Sequence, residues 1–158
     1  RVHERRPESH RLAHLRGEGQ SRHAGERMTP AERLIAQIKA QRLSWVELEP
    51  AADGRAAKRV QITRPPENDV AAFVSQTPEG LFTLEASAEH VTKYVTGWDG
   101  ITEADLIGPA GSSDAAEFHP DLWRIVVEDR LEWMRAIARA LLDAILAHRA
   151  AKLEDEKN

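Results

Sequence analysis

Residues 45–48 read Trp45-Val46-Glu47-Leu48 and residues 59–63 read Arg59-Val60-Gln61-Ile62-Thr63, two short runs in which apolar and polar side chains alternate. A period of two belongs to strands that bury one face of a sheet. The connector 50–57 contains Asp53-Gly54, a turn dipeptide, so the two runs predict an antiparallel hairpin with a loose loop. Pro65-Pro66 ends the second strand, because neither proline can donate to a ladder.

Upstream of the hairpin, Thr29-Pro30-Ala31-Glu32 sets a capping hydroxyl, a proline at the first helical position and a reciprocating carboxylate. Leu34, Ile35 and Ile38 then form a stripe, which predicts an amphipathic helix over 30–42. Downstream, residues 69–84 are ambiguous: Val70, Phe73 and Val74 suit a helical turn, and Leu81-Phe82-Thr83-Leu84 suits a third strand. Ser87 can cap a helix carrying Val91, Tyr94, Val95 and Trp98 at i, i+3, i+4 and i+7, closed by Gly97 and Gly100. A loop to about Phe118 follows, broken by Gly108-Pro109-Ala110-Gly111-Ser112-Ser113-Asp114. Pro120 opens a short helix bearing Leu122, Trp123, Val126 and Val127, and Asp129-Arg130-Leu131-Glu132 reads as a second capping box. The last helix, over about 130–152, carries Met134, Ile137, Ala138, Leu141, Leu142 and Ile145 in a wide core-facing stripe, with a frayed tail at 154–158. The fold class is therefore α+β: an N-terminal helix, a small antiparallel hairpin or sheet, and a helical C-terminal half.

Composition narrows the function classes. The chain has 158 residues and is 41% hydrophobic, but alanine supplies 24 of its residues, leaving enough bulky apolar side chains for one modest core. It has no cysteine, which excludes disulfide scaffolds, thiol catalysis and thiolate metal sites. No run of about 18 apolar residues offers a membrane span. Net charge is −4, divided into about +3 over residues 1–27, from seven Arg against four Glu, and about −7 over the rest. With Val2, Leu12 and Leu15 as its bulky apolar residues, 1–27 reads as a disordered basic arm or an upstream extension before Met28. Residues 28–158 read as a single small domain, with a helix-hairpin part at 29–66 and a helical part at 86–152. The cytoplasm is the expected location.

Signatures of chemistry are weak. The glycines of 108–111 lack the Gly-Lys-Ser/Thr of a phosphate loop, and neither Gly-x-Ser-x-Gly nor His-Glu-x-x-His occurs. Glu117, His119 and Asp121 could gather as acid, base and orienter, but Pro120 makes His119 a helix cap and Asp121 a first-turn anion. His10 and His14 could share a helical face without a carboxylate partner, and His90 and His148 have no evident role. No catalytic, cofactor or metal residue is assigned. Half of the eight aromatics are Trp, a residue enriched both in cores and at interaction hot spots; Trp123 and Trp133 join apolar neighbours at helical spacing, which favours the core for them, while Trp98, at a helix end between two glycines, suits core anchoring and partner contact equally.

The segment Tyr94-Val95-Thr96-Gly97-Trp98-Asp99-Gly100-Ile101-Thr102-Glu103 resembles the V-x-x-W-x-G-V element of small tail assembly proteins of long-tailed bacteriophages and prophages. Glu117-Phe118-His119-Pro120-Asp121-Leu122-Trp123 is similar to their P-F-S-P-x-x-L element, departing from it at Glu117 and His119 and in the long loop 106–116. The resemblance covers mainly residues 90–150. It implies a largely helical, non-enzymatic chaperone of the bacterial host cytoplasm, which coats the tape measure protein and recruits tail-tube subunits. On this reading Trp98, Leu122, Trp123, Val126 and Trp133 form an apolar surface for a helical client, and a homo-oligomer is compatible with it. Two other classes compete: a structural or adaptor subunit of the particle, and a nucleic-acid-binding regulator using the Arg-rich arm. The acidic body disfavours the latter.

Overall fold

A computed structural model of the chain describes residues 28–157; the arm at 1–27, with His10 and His14, lies outside them. Helix α1 (Pro30–Ala40) starts as the capping box dictates: the Glu32 amide donates to Thr29 Oγ1 at 3.2 Å and the Thr29 amide to Glu32 Oε2 at 2.6 Å. Strands β1 (Leu43–Glu49) and β2 (Lys58–Thr63) form the hairpin, with Trp45 opposite Gln61 and Val46 opposite Val60. Alternation places Val60 and Ile62 in the core and leaves Leu43, Trp45 and Glu47 on the other face.

The ambiguous stretch resolves into a 3-10 helix (Glu67–Phe73), which buries Val70 and Phe73, and a small hairpin of β3 (Val74–Gln76) and β4 (Phe82–Leu84). Helix α2 (Ala88–Tyr94) is shorter than its periodicity predicts. Residues Val95–Asp99 are instead strand β5, antiparallel to β2, which completes a three-stranded sheet in the order β1-β2-β5. The expected i, i+7 stripe splits at Tyr94: Val91 and Tyr94 are buried from a helix, Val95 from a strand, and Trp98 lies opposite Val60. The β-branched pair Val95-Thr96 favours the strand once β2 offers a free edge.

The expected loop beyond Gly100 also contains structure. Thr102 and Asp105 make a capping box for α3 (Glu103–Ile107), followed by a 3-10 turn at Gly108–Ala110. Helix α4 (Pro120–Glu128) begins on His119, whose Nδ1 accepts the Asp121 amide at 3.2 Å. The capping box expected at Asp129 does not form: α5 (Leu131–Asp155) has Arg130 at its N-cap without a side-chain bond, and Glu132 pairs with Arg135 at 2.9 Å. Helix α5 also runs past its predicted end into the charged tail. It packs Trp133, Ile137, Leu141 and Ile145 against the inner sheet face, α2 and α4. No described helix is long and apolar enough to cross a membrane.

Candidate protein-interaction surface

Two of the five residues expected to form a client surface belong to the core instead: Trp123 is fully buried and Trp133 is 4% exposed. Their rings stack at 6.5 Å, and Trp98 meets Trp123 edge-on at the same centroid separation. Each indole N–H has an internal acceptor: Trp98 donates to the Ala116 carbonyl at 2.7 Å, Trp123 to the Val91 carbonyl at 3.4 Å and Trp133 to Glu49 Oε1 at 3.1 Å. Arg130 lies over the Trp133 ring at 4.7 Å. Leu122 and Val126 are half-buried on α4, and Trp98 is half-buried against Phe118. This ladder of indoles ties sheet to helices; side chains with almost no accessible surface cannot meet a partner.

The exposed apolar surface lies at the other end of the sequence. All eleven residues of α1 are exposed, and its stripe leaves Leu34 at 57%, Ile35 at 52% and Ile38 at 45% of their surface accessible. On the strand that follows, Leu43 and Trp45 are exposed on the outer face of the sheet. Arg59, paired with Asp99, reaches over the Trp45 ring at 5.4 Å. A shallow groove of about 470 Å³ separates the C-terminal end of α1 from this face, lined by Lys39, Arg42, Leu43, Thr63, Arg64 and Thr96. Burial and the neighbouring Arg42 both lower the Arg64 pKa, with Glu67 opposing them in part. The stripe itself is visible in the sequence. What no periodicity reports is that nothing among the described residues covers it.

No family model matches the chain, and no curated protein or solved structure matches it. The residues with chemical potential must therefore be judged on geometry. His119 and Asp121 are exposed and engaged in capping α4, and Glu117 is exposed on the preceding loop. Ser87 Oγ lies 3.2 Å from His90 Nδ1, but that pair is a second use of capping: Nδ1 accepts the Ser87 amide and Oγ accepts the His90 amide. The Gly108–Ala110 turn is closed by Glu103, whose carboxylate accepts from both the amide and the hydroxyl of Ser112. An anion is repelled where a carboxylate already holds the donors.

Two ionic clusters brace the body. Tyr94 Oη and Lys93 Nζ both donate to Asp69 Oδ2, at 2.7 and 3.0 Å; these bonds lower the Asp69 pKa. Lys58 Nζ sits between Glu49 at 2.7 Å and Asp105 at 2.8 Å, tying the β1–β2 hairpin to α3. Among the described residues no group of three or more His, Asp and Glu is placed to hold a metal ion.

Proposed function

We propose that the protein is a non-enzymatic tail assembly chaperone of a long-tailed bacteriophage or prophage, acting in the host cytoplasm by holding an apolar helical segment of the tape measure protein. The unpartnered stripe Leu34, Ile35 and Ile38 on α1 carries this reading, with Leu43 and Trp45 exposed on the strand that follows. Anchors one turn apart on an exposed helix are what helix-on-helix recognition uses, and an acidic body keeps such a complex soluble. The resemblance of residues 94–103 and 117–123 to tail assembly proteins supplies the client's identity; the client surface moves from the tryptophans to α1.

Co-expression with a tape measure protein of a long-tailed phage tests the reading. The wild-type chain is expected to keep that protein soluble, and Ile35→Asp, which charges the stripe without touching the core, to lose the effect. Equal precipitation with and without the wild-type chain would overturn the reading. Recovery of the chain in stoichiometric amount from purified virions would also count against it, because a chaperone leaves the finished particle.

A further inference from the structure

An eleven-residue helix with no packing partner is too short to hold itself together in water. We propose that in the free protein the apolar face of α1 is covered by α1 of a second copy, packed antiparallel about a two-fold axis that passes between residues 35 and 36. This inference concerns the surface assigned above to the client and stands whatever that client is.

The charges on α1 are symmetric about that point in the way an antiparallel pair requires, and the apolar stripe is centred one residue before it. Ala31, Leu34, Ile35 and Ile38 share one face at helical spacing, so two copies can interleave these side chains. Glu32 and Lys39 flank that stripe on the same side, three and a half positions before and after the axis. An antiparallel two-fold keeps the side and reverses the direction, which brings Glu32 of each copy to Lys39 of the other. Within the chain Lys39 forms no ion pair among the described residues, and Glu32 bonds to Thr29 alone.

Leu34, Ile35 and Ile38 are 57%, 52% and 45% exposed; the apolar stripe by itself falls short of the about 1,200 Å² that specific interfaces bury, so the flanking Glu32 and Lys39 have to be part of the contact. Because each copy offers the same patch, the interface closes as a dimer rather than growing into a filament. A client helix would then have to displace the second copy, which makes client binding depend on protein concentration.

Sedimentation velocity of the full chain between about 2 and 200 µM decides the question. The wild type is expected to be dimeric and Ile35→Asp monomeric, with the same near-UV circular dichroism and a far-UV loss no larger than the eleven residues of α1 account for. Lys39→Glu, which leaves the helix cap intact, is expected to weaken the dimer about fivefold to tenfold at low salt. Adding Glu32→Gln, which preserves the capping geometry, should return part of that loss. A monomer at 200 µM overturns the proposal, and so does a dimer indifferent to both Ile35→Asp and Lys39→Glu. Hydroxyl-radical footprinting separates the monomeric outcomes: a monomer with Leu34 and Ile35 protected assigns the cover to the chain's own residues 1–27. A dimer that fails to exchange with the tape measure protein would sink the chaperone reading and leave this one standing.

Discussion

Lys58 shows how single residues join the two parts of the chain. Burial alone would lower its pKa, but Asp105 and Glu49 outweigh this and raise it. Burial would likewise raise Asp105; the bonds from Lys58 and Thr102 prevail and hold it at about 2. A carboxyl depressed in the folded state stabilises that state above its ordinary pKa and loses the contribution as pH falls. Asp105 therefore contributes about 2 kcal/mol above roughly pH 4, and this is lost between about pH 4 and pH 2. Asp105→Asn should flatten that part of the pH–stability curve, measured by urea unfolding at successive pH values; an unchanged acid limb would contradict the assignment. Backbone constraint is as local. Gly100 has φ +72° and a Cβ there would stand 2.1 Å from the Ala57 carbonyl oxygen. Gly100→Ala is expected to destabilise the protein by more than about 1 kcal/mol, seen as a lower thermal midpoint.

At the scale of elements, Trp123 and Ile35 are opposite cases of an apolar residue on an amphipathic helix. Trp123→Ala empties the centre of the core and should cost about 3–5 kcal/mol in chemical unfolding. Ile35→Asp removes nothing the body packs on, so thermal unfolding of the body, read by Trp fluorescence at protein concentrations below dimer formation, should be unchanged. A large loss of stability at Ile35 would mean that α1 belongs to the core. The periodicities of α1 and α4 were equally legible; which stripe faced inward was not. Caps were read well at Thr29 and Ser87, where hydroxyl and backbone are adjacent, and at His119. The capping box at Asp129 failed because the α4–α5 junction turns one residue later. Val95–Asp99 departs from the helical spacing of Val91, Tyr94, Val95 and Trp98 because such a spacing can arise by chance across a helix–strand boundary, and sheet pairing with β2 decides the matter non-locally.

Across the whole molecule, α5 is the common wall: it packs on β1, β2, α2 and α4. A body sharing one wall should unfold in a single transition. Far-UV circular dichroism and Trp fluorescence are expected to give coincident thermal curves, and two separated midpoints would show independent parts. The sequence by itself determined the α+β class, the positions of the first helix, the hairpin and the closing helices, and the weakness of any catalytic signature, because capping, period and turn chemistry act within a few residues. Tertiary contacts set strand β5, the exposure of α1 and the partner of the Trp133 indole, the Glu49 carboxylate. Those outcomes depend on which surfaces meet across 30 to 90 positions of chain, and a side chain's periodicity says which way it points on its own element but not whether anything stands opposite.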